Sequence, residues 1–225
     1  MFKKLLLTSA LLAAFATAHA QSSAPFGITG SIAPPVPTVT ISNGGNSVVG
    51  AAAAAALRGS SSFAGTNHLY AFPAQILSYS ITFSAPSKIA LSFTDNNSGK
   101  VLPFDGSDST RFGSVNGTTS SGSLVVTLEN TKIDNTTPSV FLSTPNGTTA
   151  WSTTTVGGKA SNTLNGVAPG YTTGFAKTAG ATVPDSFTTL TGNLSMTLYM
   201  GKSLVDNATT TLTPSSSGTF TIVYL

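Results

Sequence analysis

The sequence predicts an all-β protein, an antiparallel β-sandwich of about eight to ten strands. Three observations lead to this prediction. Apolar residues recur at every second position in several runs, which is the period of a half-buried strand. Clusters of Gly, Pro, Asn and Ser separate these runs. Charged residues make up only 8% of the chain, whereas surface helices normally carry Glu and Lys on their outer faces.

Residues 1–20 have the composition of a secretory signal peptide. Lys3 and Lys4 precede the short apolar run 5–16, and Ala18-His19-Ala20 supplies small residues at a cleavage site. We therefore expect residues 21–225 to form the mature chain, folded as a single β-sandwich domain outside the cytoplasm. No later apolar run is long enough to span a bilayer, so no integral membrane segment is expected.

The charge balance of the mature chain is close to neutral. Without Lys3 and Lys4, 8 Lys and Arg remain against 7 Asp and Glu. No basic patch remains, so nucleic acid is not an expected partner. The chain has no cysteine and 13 Phe, and a domain of this length can bury enough apolar surface to fold without disulfides.

The first alternating segments lie on either side of a proline cluster. The segment 25–33 places apolar residues and one glycine at alternate positions, namely Phe26, Ile28, Gly30 and Ile32. Pro34, Pro35 and Pro37 then interrupt regular pairing. Val39 and Ile41 alternate up to the turn-forming residues 42–45.

The clearest alternation occurs in two adjacent runs, 75–83 and 88–94, separated by Ser84-Ala-Pro-Ser87. This pattern predicts an antiparallel hairpin with one buried face. Longer strands are expected at 123–133 and 186–200, with shorter pieces at 140–142, 150–151 and 171–175. The segment 107–122 is predicted to be turn-rich, and the segment 156–183, apart from 171–175, is predicted to be irregular.

The sequence offers few groups for catalysis. His68 is the one histidine that remains after signal removal, and the chain has neither cysteine nor a Gly-x-Ser-x-Gly motif. Most acids fall in turn-like segments, where Asp is favoured structurally. Asp95, Asp105 and Asp108 lack the spacing of a calcium loop. We therefore expect no catalytic, cofactor or metal site and no enzymatic activity.

The last eight residues, 218–225, are among the most strand-like in the chain. Phe220, Ile222 and Tyr224 alternate with Thr219, Thr221 and Val223. Such a strand needs a pairing partner, because an open edge promotes uncontrolled association. We therefore single out Phe220, Ile222 and Tyr224 as strand-pairing residues.

The chain resembles the fimbrial-like periplasmic proteins of Gram-negative bacteria, a domain-of-unknown-function family related to chaperone–usher pilins. Four blocks carry the resemblance: the signal peptide followed by Gly30-Ser-Ile-Ala-Pro34, the segment 84–96, Arg111-Phe-Gly113 and the segment 190–225. The resemblance implies an Ig-like, pilin-like sandwich. It also implies residence in the periplasm or on the cell surface as part of a fimbrium.

Two features depart from the family pattern. Family members and pilins usually carry a cysteine after the first strand and another before the Ala-Pro turn, and Pro37 and Phe83 occupy these places here. The absent disulfide would correspond to about 2–4 kcal/mol of lost stabilisation. The segment 147–183 also matches the family poorly.

The resemblance gives the segment 26–32 two alternative roles. A pilin sandwich lacks one strand, which a periplasmic chaperone supplies before the N-terminal extension of the next subunit replaces it. Phe26, Ile28, Gly30 and Ile32 form either the first strand of this sandwich or such a donated strand, with Pro34-Pro35 as the hinge. The first assignment is favoured. Gly30 matches the glycine of the pilin first strand, and the match extends to Pro37, which stands at the position of the first family cysteine. This assignment leaves only residues 21–24, about 13 Å of chain, ahead of the strand.

The resemblance therefore predicts a non-catalytic structural or surface subunit. Its expected partners are a periplasmic chaperone and usher, acting through Phe220, Ile222 and Tyr224, and other fimbrial subunits. The alternative is a self-contained β-sandwich binding module, an adhesin or a periplasmic binder of glycans or solutes. In that alternative, Trp151 and Tyr171 would be exposed near the ligand.

Overall fold

Twelve β-strands and one short helix account for the regular structure of the described residues. The computed structural model describes residues 35–45, 62–63, 69–102, 111–153 and 164–225, which all lie within one compact unit, Pro34–Leu225. The strands are β1 Thr38–Ile41, β2 Ser62–Phe63, β3 Leu69–Ala71, β4 Gln75–Asp95, β5 Phe112–Asn116, β6 Thr119–Ile133, β7 Val140–Pro145, β8 Leu164–Val167, β9 Tyr171–Ala176, β10 Ser186–Gly201, β11 Pro214–Ser215 and β12 Gly218–Tyr224. The helix α1 covers Lys202–Asp206. The predicted all-β class is confirmed.

The strands form two antiparallel sheets that share β4. Sheet A has the order β11-β5-β6-β10-β4, with β1 on the free side of the first half of β4. In the same sheet, β3 pairs with the end of β10, β2 pairs with β3, and β8 pairs with β6. Sheet B has the order β12-β4-β9-β7 and uses the second half of β4.

The predicted hairpin at 75–94 is wrong, because β4 runs without a break through both of its alternating segments. Residues 83–86 bulge opposite the single residue Thr188 of β10. The chain bends there and passes from sheet A to sheet B. Alternation alone cannot separate a tight turn from a bulge of this kind. Each half of β4 finds its partners elsewhere in the chain, so the two halves do not pair with each other.

The core lies between the two sheets, because alternate residues of both sheets point inward. Leu77, Tyr79 and Ile81 enter from the first half of β4, and Ile89, Leu91 and Phe93 from the second half. The ring of Phe175 in β9 lies edge-on to Phe187 in β10, with 6.3 Å between ring centroids. Sheet B thus packs directly on sheet A, as a sandwich requires.

Several shorter predictions need correction. The segment 111–122 is not turn-rich throughout: β5 and the start of β6 form a hairpin around Gly117, which has a φ of 66°. Strand β8 lies in a segment that was predicted to be irregular. Residues 150–151 are not a strand, although Ser152 forms an isolated bridge with Ser143. The strands β6, β9, β10 and β12 confirm the predicted strands at their positions.

The first described strand is β1, where Val39 and Ile41 were predicted to alternate. It ends in the turn Ser42–Gly45, in which Asn43, Gly44 and Gly45 have positive φ. Its register sets Thr38 opposite Thr82, so one further step brings Pro37 beside Phe83. The residues Phe26, Ile28, Gly30 and Ile32 lie outside the described residues.

Candidate functional site, the groove between β1 and β12

The candidate site is the space between two edge strands that flank the bend of β4. Strand β1 lies at the edge of sheet A and begins near the bend, with Thr38 opposite Thr82. Strand β12 lies at the edge of sheet B and ends near the bend, with Tyr224 opposite Ile89. The two strands therefore diverge from the bend, and we call the space between them the β1–β12 groove.

One end of the β1–β12 groove is closed by Tyr224. Its hydroxyl donates a hydrogen bond to the backbone carbonyl of Pro35, which joins the lead into β1 to the end of β12. Its ring lies edge-on to Phe83, with 6.2 Å between ring centroids. Tyr224 thus fixes the separation of the two edge strands at the bend.

The β1–β12 groove contains a cavity of about 740 Å³ with mainly apolar walls. Val39 and Ile41 line the β1 side, and the β12 side is lined by Phe220 and Ile222 together with Thr219 and Thr221. The floor comes from both sheets, with one residue from the second half of β4 and the rest from β4, β5, β6 and β10 of sheet A: Phe93, and Leu77, Phe112, Leu124, Val126, Leu194 and Met196. None of the described residues that line the cavity is charged.

The floor of the β1–β12 groove is only partly covered. Leu194 and Met196 of β10 point inward but stay half-buried, whereas Leu190 and Leu198 of the same strand are 0% and 3% exposed. All four occupy alternate positions on one face of β10. Leu194 and Met196 are therefore more exposed because the groove lies over this part of β10. They do not lie on a different face of the strand.

The open end of the β1–β12 groove is held by a polar network around Gly113. The carboxylate of Asp95 accepts hydrogen bonds from the backbone N–H groups of Asn97 and Gly113, each at 2.8 Å. Ser216 Oγ donates to the carbonyl of Gly113 at 2.6 Å. These bonds tie the end of β4, the start of β5 and the chain entering β12 to one another.

The outer edge of β12 carries backbone groups that point away from β4. The N–H of Leu225 donates to Lys88, and the carbonyl of Ser217 accepts from Asn96. Since such bonds fall on every second residue of an antiparallel pair, the odd-numbered residues of β12 bond to β4. The N–H and C=O groups of Phe220, Ile222 and Tyr224 are therefore directed toward the outer edge. Among the described strands, none but β4 pairs with β12.

The structure thus brings Phe220, Ile222 and Tyr224 together at the β1–β12 groove. Sequence reasoning missed the facing residues, Val39 and Ile41 of β1 and Leu194 and Met196 of β10. Their alternation marked them as inward-facing, but nothing in the sequence separated half-covered positions from fully covered ones.

The other residues considered from sequence do not form a site in the described part of the chain. His68, Asp105 and Asp108 lie outside the described residues, and Asp95 is used in the network around Gly113. Within the described ranges, no three His, Cys, Asp or Glu residues are grouped to hold a metal ion. Trp151 is half-buried and lies over β9, with its Cζ3 atom 3.2 Å from where a Cβ on Gly174 would be.

No helix in the described part of the chain has the length and apolar character needed to cross a membrane. Comparisons with protein-family models, curated proteins and solved structures give no match.

Proposed function

We propose that this chain is a non-catalytic structural or surface subunit of the fimbrial type. In this proposal it is exported and handled by a periplasmic chaperone, which places a β-strand in the β1–β12 groove along β12. An usher and other fimbrial subunits are its further partners. The observation that carries the proposal is that Phe220, Ile222 and Tyr224 combine outward backbone groups with side chains that line or close an apolar groove.

Backbone geometry supports an extended strand as the occupant of the groove. The outward N–H and C=O groups of Phe220, Ile222 and Tyr224 recur every second residue, which is the repeat of an added strand. Strand addition of this kind draws its affinity from main-chain hydrogen bonds. A compact small molecule would satisfy only part of this edge.

The exposed floor supports a strand with apolar side chains at alternate positions. Its inward side chains would cover Leu194 and Met196, and covering each half-exposed side chain contributes roughly 1 kcal/mol. The absence of charge in the lining favours an apolar partner face. In the second role considered for Phe26, Ile28, Gly30 and Ile32, these residues would be donated to the same groove of another copy.

A matched pair of substitutions on β12 tests the proposal. Ile222→Asp puts a charge on the face of β12 that packs against the core, whereas Thr221→Asp puts the same charge at the adjacent, exposed position at the rim of the cavity. The full chain would be produced with its leader in the native host and isolated from the periplasm. We expect an exported chaperone to co-purify with wild type and Thr221→Asp, and to be lost with Ile222→Asp.

Mass spectrometry of the co-purified material would identify the partner, and cross-linking from β12 would locate the contact. Equal recovery of the same partner with both variants would contradict the groove as its binding site. A wild-type chain that accumulates as a soluble protein without any chaperone, and that is unaffected by deletion of residues 218–225, would contradict the proposed function as a whole.

A further inference from the structure

Strand β12 lacks the features that usually prevent edge-to-edge association. Its sequence, Gly-Thr-Phe-Thr-Ile-Val-Tyr, contains no charged residue and no proline. Its register with β4 continues through seven pairs without a bulge. Natural edge strands are commonly protected by Lys, Pro or a bulge. The outer edge of β12 can therefore accept a second strand, including the same strand of another copy.

We propose that two copies of this chain form a twofold dimer through their β12 strands. The twofold axis passes by Ile222, which lies opposite Ile222 of the second copy, and Phe220 lies opposite Tyr224. The same surface of each copy meets in such an interface, so the Phe220–Tyr224 pair occurs twice and the Ile222 pair on the axis occurs once. The proposal goes beyond the proposed function and does not rest on it.

The hydrogen-bonding pattern fits this register. Backbone hydrogen bonds join Leu225 and Ser217 to β4 and to the residue that directly follows it, so the odd-numbered residues of this segment face β4. The backbone groups of the even-numbered residues of β12 therefore point away from β4. The pairs Phe220 with Tyr224 and Ile222 with Ile222 join even-numbered residues only. Both strands therefore present their free N–H and C=O groups to each other at the same positions.

The side chains also fit, because a twofold axis perpendicular to the joined sheet keeps the inner faces of both copies on the same side. Phe220 and Ile222 pack against the core of their own copy. The second copy would set the ring of Tyr224 beside Phe220 and the side chain of its own Ile222 beside Ile222, and such cross-strand pairs stabilise a sheet. Thr219, Thr221 and Val223 remain on the opposite face.

The dimer has a consequence for access to the β1–β12 groove. The edge of β12 that receives the second copy is the edge that any added strand would use. A partner strand and the second copy therefore exclude each other, and a strand that binds β12 releases monomers. Dilution and a competing strand should both shift the monomer–dimer equilibrium toward the monomer.

Cysteine cross-linking tests the register, because the full chain contains no cysteine of its own. Hydrogen-bonded antiparallel partners have Cα atoms about 5.5 Å apart, which lies within disulfide range. We expect Ile222→Cys to give a covalent dimer under mild oxidation. Thr221→Cys is the matched control, since its two copies would lie roughly 8 Å apart on the other face.

Sedimentation velocity of the cysteine-free wild-type chain tests the dimer independently of those variants. We expect a monomer–dimer equilibrium that Tyr224→Lys shifts at least tenfold toward monomer, since two lysines would enter an uncharged interface. A wild-type chain that stays monomeric up to millimolar concentration would overturn the proposal. A dimer that cross-links through Thr221→Cys but not Ile222→Cys, or that Tyr224→Lys leaves unchanged, would overturn the interface.

Discussion

Two glycines of sheet A are required by the atoms that lie opposite them. A Cβ at Gly122 would meet the backbone carbonyl oxygen of Tyr199 at 1.7 Å, and a Cβ at Gly192 would meet the hydroxyl of Tyr79 at 2.6 Å. Tyr79 is almost fully buried and its hydroxyl bonds to Thr131 at 3.2 Å, and burial raises its pKa to about 12 despite that bond. The nearest obstacle at Gly122 is the backbone of β10, whereas the nearest obstacle at Gly192 is the side chain of Tyr79.

We expect Gly122→Ala to destabilise the protein more than Gly192→Ala does. Moving the paired strand β10 away from Gly122 would disturb its ladder with β6, with a cost of about 3 kcal/mol or more, whereas the ring of Tyr79 can shift at a cost of about 1–3 kcal/mol. Urea unfolding monitored by circular dichroism would measure both. Equal midpoints for the two variants would contradict the assignment of backbone and side-chain obstacles.

Asp134 is a polar anchor between β6 and β10. Its carboxylate accepts the backbone N–H groups of Thr188 and Thr189 at 2.8 and 3.1 Å, and Lys177 Nζ lies 2.7 Å from it. Partial desolvation raises the pKa of Asp134, but the hydrogen bonds from Lys177, Thr188 and Thr189 outweigh it and hold the pKa well below its usual range. The charged form is therefore preferred in the folded state.

This depressed pKa predicts an acid-dependent loss of stability. Because the folded pKa lies below the unfolded value of about 4, the contribution is complete above that pH and is lost as the pH falls toward the folded pKa. We expect Asp134→Asn to cost about 1–2 kcal/mol at pH 7 and progressively less below pH 4. Unfolding midpoints at a series of pH values would measure this difference.

Lys177→Met is the control for the Asp134 prediction. It removes only the ion pair, whose two side chains are 38% and 33% exposed. Exposed pairs contribute about 0–1 kcal/mol, so we expect a smaller effect than that of Asp134→Asn. A difference between wild type and Asp134→Asn that does not change with pH would contradict the depressed pKa.

At the scale of elements, the strands that sequence reasoning located best are those with long apolar alternation. The strands β6, β10 and β12 each keep Leu, Ile, Val, Met or Phe at alternate positions, so their existence was predictable. Strand β8, with the sequence Leu-Asn-Gly-Val, is too short to show a period. The start of β6, Thr-Ser-Ser-Gly, is polar and gains its strand structure by pairing with β5 and β10.

The groove was less predictable than its strands. Alternation identified Phe220, Ile222 and Tyr224, because a half-buried strand shows its inner face in the sequence. Which residues lie across the groove depends on the bend of β4 at residues 83–86, since this bend separates β1 from β12. Ser84-Ala-Pro-Ser87 fits a turn equally well, so Val39 and Leu194 could not be placed beside β12 from sequence.

Because hydrogen bonds to β4 alternate along β12, proline should be costly at one position and nearly neutral at the next. The N–H of Thr221 is directed at β4, whereas the N–H of Ile222 points to the outer edge. A proline that removes a ladder hydrogen bond costs about 3 kcal/mol or more, but an outward N–H can be removed at little cost. We expect Thr221→Pro to destabilise strongly and Ile222→Pro to match Ile222→Ala within about 1 kcal/mol.

Thermal and urea unfolding of four variants would test this prediction. Thr221→Ala and Ile222→Ala serve as side-chain controls, so that each proline is compared with an alanine at its own position. If Ile222→Pro proved as destabilising as Thr221→Pro relative to these controls, the assignment of outward backbone groups to Phe220, Ile222 and Tyr224 would be wrong.

At the scale of the whole molecule, β4 couples the two sheets because one 21-residue strand belongs to both. Its first half pairs with β1 and β10 and its second half with β9 and β12. The bend that joins the sheets also sets where their edges diverge. The partly covered floor at Leu194 and Met196 is therefore a consequence of the topology, and a strand added there would act on the stability of the whole sandwich.

This coupling gives a test of the two roles considered for the segment 26–32. If Phe26, Ile28 and Ile32 form a donated strand, a synthetic peptide of residues 25–33 should bind the groove of the full chain and raise its unfolding midpoint. Binding at a hundred times the dissociation constant stabilises by about 2.7 kcal/mol. A peptide of the same composition with its apolar residues grouped together should have no effect, because alternate side chains would no longer face the groove. Ile222→Asp should abolish the stabilisation by the native peptide. Calorimetry at protein concentrations low enough to keep the chain monomeric would measure the midpoints, and an unchanged midpoint with the native peptide would favour the first-strand assignment.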